Sequence, residues 1–261
     1  MGNDLPKKLE NSPLIAATVE LRFKNAIPNG VLLGKFFPSL GSDYEDLQVI
    51  GPGNVPEAAL KQNPNLIFLP QYRAKGSNSA AYQVLFGPRV VIFAMRGPSF
   101  DIDFASDGPL QKLLGNLERH DVLIELERAG LRYINLFEGR KSLEHMAVNT
   151  SISGDDISAH ISSMRFEIPQ DSFKLTVTIA KNATANVSDD NIGMVAAPSP
   201  ENTKKGAILD IDASTTFDSA VHRPYANEIL AKLIDAHQHA EQIFFKALTP
   251  SFVESLGPSY R

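Results

Sequence analysis

No cysteine occurs among the 261 residues of this chain. That absence removes disulfides, thiolate nucleophiles and cysteine-ligated zinc or iron–sulfur sites, and it suits a reducing compartment. Long apolar runs are missing as well. Nothing approaches the roughly 20 residues of a membrane helix, and Met1 to Glu10 has no apolar stretch of the kind a secretory signal needs. Clustered positive charge is also absent. The net charge is −5, spread without long blocks, and Lys204-Lys205 is too small a cluster for sequence-independent nucleic-acid binding. There is no Gly-x-Ser-x-Gly, Gly-x-Gly-x-x-Gly, Walker loop or His-Glu-x-x-His. A cytoplasmic chain is expected, with no membrane attachment, no cofactor, no metal ligands and no catalytic residues; nucleic acid is disfavoured as a partner.

What is present is strand periodicity. Thr18 to Phe23 alternates, with Val19, Leu21 and Phe23 opposite Glu20 and Arg22. Phe173 to Ala180 alternates in the same way, and Ala207 to Ala213 is a further strand. Tyr82 to Phe86 and Arg89 to Met95 flank Gly87-Pro88 as a hairpin. Leu66 to Tyr72, Leu131 to Phe137 and Met164 to Ile168 also read as strands. Two amphipathic helices stand out. One starts at Pro109 and runs to a stop at Gly130; the other runs from about Tyr225 to Leu248. In the second, Ile229, Leu230, Leu233, Ile234, Phe244, Phe245 and Leu248 form the expected stripe. Residues 30–40 read as a short helix, 41–64 as loop with one helical turn, and 139–160 as loop with a short helix over 143–148.

Runs of strands followed by a helix predict an α+β fold with mostly antiparallel sheet. Phe100-Asp-Ile-Asp103 before one helix and Leu209-Asp-Ile-Asp212 before the other suggest two similar strand-rich halves, each closed by a long amphipathic helix. The expected organisation is a flexible tail over 1–12, a first half over 13–138, and a second half over 139–261. Residues 181–205, rich in Asn, Ala, Ser, Asp and Pro, are expected to be a mobile loop or a hairpin with a loose tip.

The candidate ligand or interface residues are Glu20, Arg22, Arg132, Asn135, Asp210, Asp212 and His237. Asp210 and Asp212 share a strand face, and paired carboxylates can hold Mg²⁺; the plainer expectation is a solvated strand face. Glu20 and Arg22 share another face, where a Glu–Arg pair across neighbouring strands is expected. Asn135 lies on the face opposite Arg132 and needs a hydrogen-bond partner. His237 and His239 are about 200° apart on a helix and cannot grip one metal. His237 falls on the apolar stripe and is expected to be a core histidine with one hydrogen bond.

Three segments, taken in order, resemble a sporadically distributed bacterial family of unknown function with members of about this length. They are Pro13 to Phe23 with its Glu-Leu-Arg-Phe, Gly130-Leu-Arg-Tyr-Ile-Asn135, and the closing Leu233 to His239 with Ile243 to Thr249. The resemblance implies a bacterial, cytoplasmic, accessory protein, and its scattered occurrence suggests a defence or toxin–antitoxin setting. It implies no reaction. The functional expectation is a non-enzymatic binding or protein-interaction protein, with the product of a neighbouring gene as partner and a homodimer as the other arrangement open. The alternative is a metal-dependent phosphate-handling enzyme using the Asp-x-Asp carboxylates.

Overall fold

A computed structural model describes residues 5–24, 29–40, 44–51, 56–76, 82–97, 100, 102, 108–139, 145–148, 151–152, 155–156, 163–186, 203–218 and 224–260. In chain order the strands are β1 (Lys8–Leu9), β2 (Leu14–Phe23), β3 (Tyr44–Val49), β4 (Tyr72–Gly76), β5 (Tyr82–Gly87), β6 (Val90–Arg96), β7 (Leu126–Glu138), β8 (Ser151–Ile152), β9 (Asp155–Asp156), β10 (Ser163–Gln170), β11 (Phe173–Asn186), β12 (Thr203–Thr216) and β13 (Pro258–Ser259). The helices are α1 (Asn29–Leu40), α2 (Glu57–Gln62), α3 (Pro109–Arg119), α4 (Ala226–Lys246) and α5 (Pro250–Ser255).

Nine strands form one antiparallel sheet in the order β10-β11-β12-β7-β2-β6-β5-β4-β3. The fold is thus α+β and sheet-rich. Because side chains alternate along a strand, each strand contributes every second residue to one face. On the first face Val19, Leu21, Val91, Phe93, Leu131, Leu175, Val177, Leu209 and Ile211 are buried together. Helix α1 closes over them with Leu32 and Phe36, α3 with Leu110, Leu113, Leu114 and Leu117, and α4 with Ile229 and Leu233. The second face carries a small apolar patch of Ala16, Leu85 and Ala94 toward β5 and β6, and polar residues across β2, β7, β12 and β11.

Several elements differ from the sequence reading, each for a physical reason. Helix α3 ends at Arg119, followed by Asp121 at φ 59° and a single 3-10 turn over Val122–Glu125. Strand β7 therefore begins at Leu126, and Gly130 is a strand residue rather than a helix stop. Pro64–Phe68 is a 3-10 turn with the Asn63 side chain accepting from the Asn65 amide, so the strand expected at 66–72 begins only at Tyr72. The stretch 41–64, expected as loop with one helical turn, has its turn in α2 but also supplies edge strand β3.

Lys8–Leu9 pairs with Pro258–Ser259, so the described part of the expected tail is tied to the opposite end of the chain. Residues 181–186 and 203–205 extend β11 and β12, with a register shift between Ala180 and Ala183 where Asn182 takes φ 50°. The remainder of the expected mobile loop, 187–202, lies outside the described residues, as do Asp101, Asp103 and residues 143–144 of the helix expected over 143–148, whose described part, 145–148, is not helical. Met146 instead makes an isolated bridge to Leu248.

Candidate functional site

Five of the seven candidate residues meet on the second face. Strands β12, β7 and β2 are adjacent, and their register sets Asp212 opposite Arg132, Asp210 opposite Ile134, and Glu20 opposite Gly130. Arg132 forms a bidentate pair with Asp210, Nε donating to Oδ1 at 2.8 Å and an NH2 nitrogen to Oδ2 at 2.6 Å. Arg128 bridges two carboxylates, donating to Glu20 Oε1 at 2.5 Å and to Asp212 Oδ2 at 2.6 Å. Arg22 donates to the same Glu20 oxygen at 2.7 Å. Its guanidinium also lies over the Phe68 ring, 4.5 Å from the centroid. The six charges cancel: Arg22, Arg128 and Arg132 against Glu20, Asp210 and Asp212.

Gly130 makes this packing feasible. A Cβ there would stand 2.8–3.0 Å from the Arg128 guanidinium. Without one, the arginine folds back along its own strand and reaches both neighbours.

The strip is half-buried, which shapes its electrostatics. Burial raises the Asp212 carboxyl above its ordinary value; Arg128 opposes that shift, and Glu20 adds to it. The hydrogen bond that Arg132 donates to Asp210 raises the Arg132 guanidinium despite burial. The solvated face expected for Asp210 and Asp212 is therefore replaced by a paired one. The Glu–Arg contact across strands is present, but Glu20 takes Arg128 rather than Arg132.

Asn135 and His237 sit apart from this strip, on the helix-covered face. Asn135 is buried and donates from Nδ2 to the Leu209 carbonyl at 3.2 Å. His237 Nδ1 and the Tyr133 hydroxyl are 2.7 Å apart, linking α4 to β7. Burial pushes the Tyr133 phenol well up, with the charge of Glu241 adding to it, and burial also raises the Glu241 carboxyl. His239 packs on the Phe173 ring, and its Nε2 lies 4.0 Å from Asp171.

Arg128 is the residue that sequence reasoning missed. With the helix expected to run to Gly130, Arg128 had no strand face. Its spacing of four from Arg132 was the available signal, because residues two and four apart share a strand face.

No group of three or more His, Cys, Asp or Glu side chains able to hold a metal occurs among the described residues. No helix of the described residues is long and apolar enough to cross a membrane. Comparison with models of known protein families gives no match, and comparison with curated proteins gives none either.

Proposed function

We propose that this chain is a non-enzymatic binding protein of the bacterial cytosol and that its contact surface is the charged strip on the second sheet face. The observation that carries the reading is the pairing itself. Asp210 commits both carboxylate oxygens to Arg132, and Asp212 commits one to Arg128. A metal-dependent phosphate site would need those oxygens for the cation. A half-buried strip of matched opposite charges instead suits recognition of another protein, where such groups govern specificity and register. Thr176 and Thr178, on the same face of β11 opposite Asp212 and Asp210, extend the strip toward β10.

We also propose that the fold is a duplicated unit. Outward from the β2–β7 seam the order is β6-β5-β4 on one side and β12-β11-β10 on the other. Each side is followed in the chain by a helix, α3 or α4, which supports two related halves. The resemblance to a sporadic bacterial family supports an accessory role beside a neighbouring gene product, in a defence or toxin–antitoxin setting.

Two measurements test the binding reading. Affinity capture with wild type and with Thr176→Lys/Thr178→Lys as baits should retain the neighbouring gene's product on wild type only, since the added lysines disturb the strip without breaking its ion pairs. Thermal melts with and without Mg²⁺ should coincide. A magnesium-dependent stabilisation abolished by Asp210→Asn would replace the binding reading with the metal-enzyme one.

A further inference from the structure

The two outer edges of the sheet are built differently. Strand β3 pairs irregularly with β4, its register shifting between Glu45 and Gln48, and such bulges protect an edge from further pairing. Strand β10 has no such break. Its eight residues, Ser-Met-Arg-Phe-Glu-Ile-Pro-Gln, run in continuous register against β11 from Ser163 to Gln170. Among the described residues no strand pairs with its outer side.

The hairpin turn decides which backbone groups face out. Asp171–Ser172 is a two-residue turn closed by Gln170 opposite Phe173. Ladder bonds alternate from that closing pair, so Gln170, Ile168, Phe166 and Met164 direct their amides and carbonyls at β11. Ser163, Arg165, Glu167 and Pro169 direct theirs outward. Pro169, which has no N–H, occupies an outward position, where β11 loses nothing by it.

We propose that β10 is a homodimer edge, pairing antiparallel with β10 of a second copy of this chain about a two-fold axis at Phe166. The edge is complementary to itself in that register from Met164 to Ile168; beyond it Pro169, opposite Ser163, accepts but has no N–H to donate. Phe166 meets Phe166 of the second copy once, on the axis, and Met164 meets Ile168 and Arg165 meets Glu167 twice each. Arg165 and Glu167 have their backbone groups facing outward, so they form the hydrogen-bonded pairs, and Phe166 falls on a non-bonded pair, where side chains approach most closely. The faces agree as well. Phe166 stands opposite Val177 on the helix-covered side, and it is 37% exposed although it lies in line with the core. Arg165 and Glu167 lie on the second face with side chains 66% and 51% exposed. Charges on an edge strand commonly repel a second strand. Here the alternation of sign about Phe166 makes opposite charges meet. The product is one continuous antiparallel sheet with twice the strands and with the helices of both copies on the same side. This interface adjoins the charged strip, Arg165 and Glu167 lying opposite Thr178 and Thr176, but it does not depend on the binding reading.

Sedimentation of the full chain at increasing concentration tests the proposal. Wild type should move from 28.5 kDa toward twice that mass. Arg165→Glu and Glu167→Arg each place like charges opposite one another and should stay monomeric at every concentration. The double exchange Arg165→Glu/Glu167→Arg restores complementarity and should recover the dimer. Hydrogen exchange on wild type provides a reading without substitutions: the amides of Ser163, Arg165 and Glu167 should become protected on concentration. A wild type that stays monomeric, a dimer that survives both single changes, a double exchange that fails to recover it, or outward amides whose exchange ignores concentration would each overturn the proposal.

Discussion

At the scale of the residue, Arg128 is the pivot of the charged strip. Removing it leaves Glu20 and Asp212 half-buried with fewer partners, and breaking a partly buried pair costs more than breaking an exposed one. Arg128→Ala should therefore lower stability by about 1–2 kcal/mol in urea melts, whereas Lys204→Ala, which breaks an exposed pair with Glu138, should change it little. Gly130→Ala should imitate Arg128→Ala in direction, because its methyl would occupy the space of the guanidinium.

Asp212 gives the pH test. Its folded carboxyl is raised above the ordinary 3.8, chiefly by burial. The folded state therefore binds more protons than the unfolded state across that interval, and stability from this group falls as pH rises through it. Melts of wild type and Asp212→Asn across the acid range should show wild type losing ground to the variant as pH increases. A difference running the other way would mean that the Arg128 pairing outweighs desolvation.

At the scale of the element, helix α4 shows how packing redefines a stripe. The large apolar residues suggest a face through Ile229, Leu230, Leu233, Ile234, Phe244, Phe245 and Leu248, of which Ile229, Leu233 and Leu248 are buried. The buried line of the helix itself is Ala226, Ile229, Leu233, Ala236 and Ala240, which follows the spacing of one helical face. Ile234 is 36% exposed, Leu233 only 1%, and Phe244 is half-buried against the core. Small residues at 236 and 240 leave the helix free to lie close to β7 and β12, so the contact line passes through alanines that a hydrophobicity pattern underweights. Leu233→Ala should cost about 2–5 kcal/mol, and Ile234→Ala much less, as thermal melts of the two variants would show. Tyr133→Phe removes the hydroxyl facing His237 and should cost about 1 kcal/mol.

At the scale of the whole molecule, the two ends of the chain hold one another. The Lys7 amide donates to the Ser259 carbonyl at 2.8 Å, Glu10 to Gly257 at 3.1 Å, and Asn11 to Leu256 at 3.0 Å. Deleting residues 1–11 removes these bonds and uncovers the end of α5. The truncated chain should melt several degrees lower than the intact one; an unchanged melt would make this pairing energetically idle.

Local periodicity determined most of the central strands and which way their side chains point, though not edge strand β3 or the start of β4. Alternation in Thr18–Phe23 and Phe173–Ala180, the hairpin around Gly87-Pro88, and Pro109 opening a helix are all written within a few consecutive residues, and the α+β class with an antiparallel sheet follows from them. The opposite orientation of Arg132 and Asn135 was legible for the same reason. Element ends were not, because Gly130 carries a helix-stopping signal that only the β2–β7–β12 pairing overrides. The partners of the candidate site were illegible too. Arg128 reaches Glu20 across 108 residues of chain and Asp212 across 84, and the register between strands so far apart is set by the packing of the whole sheet under its helices. The sequence thus determined that Asp210 and Asp212 share one strand face and Glu20 and Arg22 another; the tertiary structure decided that Arg128 would join them and that these charges would neutralise one another.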